Sequence, residues 1–399
     1  MNILIPNAAS PKNIGDLAIL TGLLLMLPQN CKIKIHSHDP YSLSKELNQK
    51  QTSQTLYSWA VFEKKDIINR ISRIMLLVLG IFFKIRFAHQ RVLSKILDDY
   101  QNADIILFTG GGYLRSQNGI TQSLNLIMLL LMLYYASTYK AKKIIAPISF
   151  GPFAHKWQER LSGRVIKNFD IIMAREKYSY KILKKYTSQN LLLSADTSFL
   201  LKYPRKKPSS KKLILGFTIR KWFDRANQEE FEENFAKALI QFSKKSNCVI
   251  QPIVQVDAPE YGDVDLVITK NIMKILHQNE IKTNPIVLVN KLSTIKIYKK
   301  VDLLLGVRMH SNILAALQGT PFIAVSYEHK TIGISKSLDI GNYCIDIKKV
   351  NSNALYKKLI LLEKEREEIS KKLYFSLGKI RTRENKTWKK IFLTGSTSV

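Results

Sequence analysis

The sequence has few cysteines, few acidic side chains and no long apolar run. Its three cysteines, Cys31, Cys248 and Cys344, lie far apart and are odd in number, which argues against a disulfide framework and against a cysteine zinc site. No apolar run reaches the roughly 20 residues that a membrane-spanning helix requires, which argues against an integral membrane protein. These absences favour a globular protein of a reducing cytoplasm.

Acidic residues number 31 against 62 lysines and arginines, so the formal net charge is +31. Such an excess favours an anionic partner: a nucleic acid, an anionic membrane face or a phosphorylated substrate. The cations are spread over the whole chain and form no recognised nucleic-acid motif, so we expect no nucleic-acid partner. The sequence also shows no cluster of metal-ligating residues, and we expect no metal.

Short continuous apolar runs, each followed by a Gly-rich or polar turn and a helical pattern, are typical of buried parallel strands in an α/β fold. The runs are 2–6, 104–109, 143–148, 171–174, 213–219, 248–254, 285–289, 302–307 and 321–327. The Pro- and Ser-containing segment KYPRKKPSSKK, residues 202–212, separates them into two groups and resembles a linker. We therefore predict two domains, 1–206 and 207–399, the second ending in a charged helical segment over 353–385.

Two further apolar segments bear on membrane contact. In Asn69–Arg91 an apolar stretch is bracketed by arginines and lysines. That pattern suits a helix lying on an anionic membrane surface, and it suits equally a buried helix with basic ends. Leu124–Ala136 lacks flanking charge, and we predict that it forms a fully buried core helix.

Ligands of open α/β sheets bind at the carboxyl ends of the strands, so polar residues at strand-to-helix turns are the candidate site residues. Asn13 and Asp16 of NIGDLAI follow the first strand. Asp16 either caps the first helix or orients and deprotonates a sugar hydroxyl. Gly110, Gly111 and Gly112 of FTGGGYLRS follow the second run, where three glycines suit either a tight turn or a loop whose amides approach an anionic ligand.

The second half of the chain carries the cationic candidates. Arg220 ends GFTIR and is either a bidentate ligand for a carboxylate or phosphate or one more surface arginine. Arg308 and His310 of GVRMHSNILAALQGTP fall in a loop before a helix predicted over 311–318, where amides and dipole favour an anion. A fixed charge beside a titratable imidazole indicates chemistry on a phosphorylated substrate; a histidine that is merely hydrogen-bonded in a loop is the alternative. Lys330 of SYEHKTIG adds a cation at the same edge.

In chain order, the motifs NIGDLAI, FTGGGYLRS, ISFGPF, AREKYSYKIL, SADTSFLL, GFTIR and GVRMHSNILAALQGTPFIAVSYEHKTIG resemble the polysaccharide pyruvyl transferase family, over about residues 13–334. The resemblance implies two Rossmann-like α/β domains facing a cleft, as in GT-B glycosyltransferases, with a C-terminal helix. It implies transfer of the pyruvyl group of phosphoenolpyruvate to two hydroxyls of a sugar, as a cyclic ketal, with release of phosphate. The acceptor would be a cell-surface polysaccharide or its lipid-linked precursor, with phosphoenolpyruvate as co-substrate and no cofactor.

The resemblance also divides the candidate residues into two sides. The donor side, with His310 as the acid and Arg308 as its catalytic partner, consists of Arg220, Arg308, His310 and Lys330. The acceptor side, with Asp16 in a catalytic role, consists of Asn13, Asp16, Gly110, Gly111 and Gly112.

The region of about 49–101 matches no motif of the family and contains the basic-apolar segment. We interpret it as an insertion for reaching a lipid-linked acceptor, which would make the protein cytoplasmic and peripheral on the cytoplasmic face of an anionic membrane. The alternative function is a GT-B glycosyltransferase of envelope glycan synthesis that uses a nucleotide sugar, because a cationic cleft suits a diphosphate as well.

Overall fold

The structure, a computed structural model, describes residues 1–47, 52–55, 91–204, 212–222, 225–258 and 263–393. The chain forms two compact units. Unit 1 consists of Met1–Pro11, Ile19–Thr197 and Trp388–Val399, and unit 2 of Lys12–Ala18 and Ser198–Thr387. The predicted division between residues 206 and 207 lies outside the described residues and stays a prediction.

Unit 1 is built on parallel strands that are buried by helices. The strands are β1 Asn2–Ala8, β2 Lys32–Ser37, β3 Thr52–Gln54, β4 Ile105–Phe108, β5 Gly111–Leu114, β6 Lys142–Phe150, β7 Ile171–Ala174 and β8 Leu191–Leu193. They form one sheet in the order β3-β2-β1-β4-β6-β7-β8, and β5 pairs with β6 outside that path. Because β1 pairs with β2 on one side and β4 on the other, the winding of the sheet reverses between β1 and β4.

Six described helices lie wholly or mainly in unit 1; the first of them has residues 14–18 in unit 2. They are α1 Ile14–Leu24, α2 Pro40–Leu47, α3 Arg91–Gln101, α4 Ile120–Ser137, α5 Lys156–Ile166 and α6 Lys177–Leu183. Helix α4 contributes Leu126, Leu130 and Leu133 to the core, but Leu124 is 55% and Tyr134 40% exposed, so the prediction that the segment is fully buried is wrong at both positions. Residues 69–90 of the basic-apolar segment lie outside the described residues, as does most of the region of about 49–101.

Unit 2 repeats the same plan. Its strands are β9 Ile214–Thr218, β10 Val249–Val254, β11 Asp257–Ala258, β12 Asp263–Val264, β13 Val287–Leu288, β14 Leu303–Gly306, β15 Phe322–Ser326 and β16 Cys344–Asp346. Six of them form a parallel sheet in the order β13-β10-β9-β14-β15-β16, while β11 and β12 pair separately and antiparallel. The winding of this sheet reverses between β9 and β14.

The helices that begin in unit 2 include the charged C-terminal segment, whose last residues from Trp388 on belong to unit 1. They are α7 Arg225–Ser246, α8 Asp265–Gln278, α9 Ile297–Lys300, α10 Met309–Leu317, α11 His329–Ser337, α12 Ser352–Lys364 and α13 Arg366–Leu393. The predicted apolar stripe Leu355, Leu359 and Leu362 is fully buried, which confirms that α12 packs by one face. Among the described helices, none combines the length and apolar character needed to cross a membrane.

The prediction of an α/β protein with two Rossmann-like parallel sheets and a C-terminal helix is confirmed. All nine predicted strands are present within a few residues of their predicted bounds. β2 was not predicted, because KIKIHS alternates lysine with isoleucine instead of forming a continuous apolar run. β16 is a three-residue edge strand, too short for its apolar content to stand out.

Candidate active site in unit 2

Three adjacent parallel strands of unit 2 end at the same edge of the sheet. Gly306 of β14 pairs with Thr218 of β9 and with Ala324 of β15. The chain leaving each strand therefore emerges beside the other two, at the point where the winding reverses, which is where sheets of this kind bind ligands. The segments that emerge there carry the four predicted donor-side residues, Arg220, Arg308, His310 and Lys330.

Arg308 leaves the end of β14 and is buried. Its Nε lies 2.8 Å and its Nη2 2.7 Å from the two carboxylate oxygens of Asp265, the first residue of α8. Asp265 is itself almost completely buried, so the two side chains form a desolvated bidentate ion pair. A planar guanidinium that donates hydrogen bonds from two of its nitrogens has a fixed orientation. Because Asp265 accepts both bonds, the start of α8 sets the position of the Arg308 charge.

His310 lies in the first turn of α10, because the helix begins at Met309 with Arg308 as its N-cap residue. The prediction that the helix begins at Ser311 and leaves His310 in the loop is therefore wrong by two residues. Ser311 explains the earlier start: its hydroxyl donates to the Arg308 carbonyl (2.5 Å) and pairs with the Thr218 hydroxyl (2.8 Å). The half-buried imidazole thus sits at a helix N-terminus, where the dipole favours an anion.

The motif NIGDLAI meets the motif GVRMHS directly. A Cβ built on Gly15 would lie 2.1 Å from Nδ1 of His310, so only a glycine fits against the imidazole in this arrangement. Asn13 is the N-cap residue of α1: its Oδ1 accepts from the Gly15 amide (3.0 Å), and its Nδ2 donates to Asp16 (2.9 Å). Asn13, Gly15 and Asp16 therefore belong to the compact unit that contains His310, whereas the sequence placed them in the first domain.

Arg220 leaves the end of β9 and is held by two aromatic side chains. Its Nη1 donates to the Tyr327 hydroxyl at 3.0 Å, and its guanidinium lies 4.8 Å from the centre of the Tyr327 ring. The Trp222 ring is 4.6 Å from that of Tyr327 and 5.7 Å from the guanidinium. These cation–π and stacking contacts orient Arg220.

The pKa of Tyr327 indicates that the electrostatic field around its hydroxyl is positive. Burial would raise the pKa of its hydroxyl, but the charges of Lys330, Arg220 and Arg308 lower it by more, so the pKa lies below the ordinary value of 10. Lys330 forms an ion pair of 2.5 Å with Glu328, and both side chains are largely buried. The predicted cations Arg308 and Lys330 therefore each face a carboxylate, yet the combined field at Tyr327 remains positive.

The glycine triplet lies in unit 1, at the carboxyl end of β4. A Cβ on Gly110 would lie 2.5 Å from the Pro147 carbonyl oxygen, and Gly111 has φ +126°, a conformation that favours glycine. Close packing against β6 and a positive φ thus account for two of the three glycines. The acceptor role predicted for Gly110, Gly111 and Gly112 stays a prediction.

Asp265 and Trp222 belong to the candidate site although they were not predicted as site residues. Asp265 follows a weak two-residue strand and carries no motif, so nothing in the sequence links it to Arg308. Trp222 stands two residues after Arg220 and is a signal that the sequence did contain. Across the described part of the chain, no three His, Cys, Asp or Glu side chains converge as metal ligands would.

The architecture resembles that of solved proteins that include a UDP-GlcNAc 2-epimerase. The UDP-GlcNAc 2-epimerase from Neisseria meningitidis bound to UDP-GlcNAc superimposes with a TM-score of 0.57 over 99% of this chain and 100% of that one, at 12% identity. S. aureus MnaA in complex with UDP superimposes with a TM-score of 0.56 over 94% of this chain and 90% of that one, at 13% identity. Identities this low show the fold alone, a GT-B-like pair of Rossmann-like units.

The family follows from the sequence comparison. The model of the family described as polysaccharide pyruvyl transferase matches residues 13–329, most of the chain, and the protein belongs to that family. It is also 23% identical to the amylovoran biosynthesis protein AmsJ of Erwinia amylovora, over 97% of this chain and 98% of AmsJ. The match begins at Asn13 and ends at His329, so it includes the loop at Gly15 and all three strand ends of the site.

Proposed function

We propose that the protein transfers the pyruvyl group of phosphoenolpyruvate onto a sugar of an exopolysaccharide or of its lipid-linked precursor, forming a cyclic ketal and releasing phosphate. The observation that carries the proposal is the convergence of Arg220, Arg308 and His310 at the ends of β9 and β14. Phosphoenolpyruvate is a small donor with a carboxylate and a phosphate. Two oriented guanidinium groups and a helix N-terminus suit those two anionic groups.

In the proposed reaction these residues transfer a proton and stabilise the anionic groups of the donor. His310, protonated, gives its proton to the methylene carbon of the donor, and a sugar hydroxyl adds to the carbon that bears the phosphate. The bond from that carbon to the phosphate oxygen then breaks, and the second hydroxyl closes the ring. Of the two hydroxyl protons, one restores His310 and the other leaves on hydrogen phosphate. Arg308 and Arg220 stabilise the carboxylate and the departing phosphate, and Asp16, which follows Gly15 in the chain, is suited to orient an acceptor hydroxyl.

The test is phosphate release from phosphoenolpyruvate by the purified protein with a cell-envelope glycan or lipid-linked oligosaccharide. We expect release that requires both substrates and a product whose mass exceeds the acceptor by one pyruvate less one water. The variant His310→Gln is expected to lower kcat by about 10²–10⁴-fold. The matched control is His277→Gln, an exposed histidine of unit 2 whose ring forms a hydrogen bond with the Thr283 hydroxyl, and it should keep full activity.

Release without any acceptor requirement, or no release with any acceptor, would contradict pyruvyl transfer. The nucleotide-sugar alternative gains no support from the fold, since structural likeness at these identities speaks for architecture and not for a donor. Adding UDP-sugars to the same assay and looking for glycosylated product distinguishes the two reactions.

A further inference from the structure

Helix α5 carries apolar and basic side chains together on its exposed face. Trp157 is 45% and Leu161 36% exposed, and Lys156, Arg160 and Arg164 are exposed beside them. Positions three and four apart share one side of a helix, so these residues form a single stripe. A surface helix normally presents a polar stripe to water, and a tryptophan and a leucine among cations are therefore unusual there.

The first turn of α4 extends this surface. Gln158 of α5 is completely buried; its Oε1 accepts from the Ser116 hydroxyl at 2.6 Å, and its Nε2 donates to the Ser123 hydroxyl at 3.0 Å. The bond to Ser123 connects the start of α5 to the first turn of α4, and the bond to Ser116 connects it to the segment that precedes α4. Ile120, 81% exposed, and Leu124 flank Ser123 on α4 and so lie beside the stripe of α5.

We refer to Ile120, Leu124, Trp157, Leu161, Lys156, Arg160 and Arg164 as the α4–α5 patch. α5 begins shortly after β6 ends and α4 shortly after β5 ends. Because both strands are parallel to the rest of the sheet, the patch lies toward the carboxyl edge of the unit 1 sheet. That is the edge at which α/β sheets bind their ligands.

We propose that the α4–α5 patch docks unit 1 on an anionic membrane surface. The apolar side chains would enter the boundary between headgroups and acyl chains, and the three cations would meet the anionic headgroups. The one acidic residue of α5, Glu159, accepts a hydrogen bond from the Tyr186 hydroxyl and is only partly exposed. The patch is thus apolar with a basic rim, in a chain of net charge +31, and its charge complements an anionic surface. The proposal does not depend on the donor or on the reaction.

The test is flotation of the full chain with phosphatidylcholine vesicles that contain or lack phosphatidylglycerol. We expect binding only to the anionic vesicles, and weaker binding at high salt because exposed charges are then screened. The variant R160Q/R164Q should bind about fivefold more weakly for each cation removed. The variant I120S/L124S/W157S should bind at least about tenfold more weakly, because the apolar anchor is lost.

A matched control comes from α13, where Tyr374 and Phe375 are also exposed and have lysines beside them. The variant Y374S/F375S should bind like the unaltered protein. Trp157 supplies a second measurement, since its fluorescence should shift to the blue on anionic vesicles, and Trp157→Phe should remove that shift. The substituted side chains are exposed, so unchanged melting temperatures are expected and show that the variants fold.

Three outcomes would overturn the proposal. The first is no binding of the unaltered chain to anionic vesicles. The second is binding that all patch variants retain, which would place membrane contact elsewhere in the chain. The third is self-association in gel filtration that I120S/L124S/W157S abolishes without vesicle binding, which would make the patch an interface between two copies.

Discussion

At the scale of single residues, Gly15 contacts His310, and this contact brings together two motifs that are far apart in the sequence. Gly15 lies in helix α1 and does not have the positive φ that favours glycine, so an alanine is compatible with its backbone, and the obstacle to one is the imidazole itself. Gly15→Ala should therefore displace His310. We expect kcat/KM for phosphoenolpyruvate to fall at least about tenfold, with a loss of about 1–3 kcal/mol of unfolding free energy from overpacking.

A double-mutant cycle separates these two effects. Removing the imidazole in G15A/H310A should restore the stability lost in G15A, because the methyl group then has room, but it should not restore turnover. Gly378→Ala is the matched control: a Cβ there meets nothing within 4 Å, so the helix α13 should gain about 0.5–1 kcal/mol and activity should not change. Denaturant unfolding and steady-state kinetics measure both quantities. Full activity in G15A would show that His310 tolerates displacement.

Tyr327 offers a direct measure of charge in the site. Because the neighbouring cations lower its pKa below 10, Tyr327 should ionise before ordinary tyrosines as the pH rises. Stability from the tyrosinate is present above the unfolded value of about 10 and is lost as the pH falls through the lower folded value, so it adds nothing at neutral pH. The ultraviolet titration of the unaltered protein minus that of Tyr327→Phe isolates this one group among 17 tyrosines.

Adding inorganic phosphate or phosphoenolpyruvate should move that titration to higher pH, since a bound anion offsets the cations. This measurement reports anion binding without requiring turnover. A titration that anions leave unchanged would contradict an anion site beside Tyr327. Lys237, whose ion pair with Glu233 is exposed on α7, provides a control substitution, Lys237→Gln, that should not move the titration.

At the scale of secondary-structure elements, the buried pair of Arg308 and Asp265 connects β14 to the start of α8. Asp265→Asn should remove about 3–5 kcal/mol of unfolding free energy, because it leaves the arginine charge buried without its carboxylate. It should also raise KM for phosphoenolpyruvate, because the guanidinium loses its bidentate orientation. The exposed pair on α7 is the control, and Glu233→Gln should cost less than about 0.5 kcal/mol.

The double variant R308M/D265L distinguishes a structural pair from a functional one. Replacing a buried ion pair by apolar side chains of similar volume is often neutral for stability. We therefore expect near-normal unfolding free energy together with loss of turnover. Substantial turnover in this variant would remove Arg308 from the mechanism.

The elements themselves were largely predictable and the site was predictable in part. The continuous apolar runs of β9, β14 and β15 identified those strands because a parallel strand is buried on both faces. Arg220, Arg308 and His310 stood out because they follow those runs directly. Asp265 did not, because its role depends on the pairing of distant elements and leaves no local pattern.

At the scale of the whole molecule, the charge of +31 has consequences that no single site explains. We expect the protein to bind duplex DNA weakly and without sequence preference at low salt. Raising the salt from about 50 to 200 mM should release it, because such binding depends on the release of counterions. Binding isotherms with two unrelated duplexes measure this. Sequence-selective binding at the higher salt would revive a nucleic-acid function.

The sequence by itself determined the α/β class and nine of the strands, and it predicts an anion site at the turn that carries Arg308. It could do so because burial on both faces and helix starts leave short-range patterns. Only the tertiary structure decided that Gly15 packs against His310, that Asp265 orients Arg308 and that Ile120 and Leu124 of an apolar helix face outward. Those facts depend on which elements become neighbours in the fold, and no local sequence pattern specifies the order of strands in a sheet.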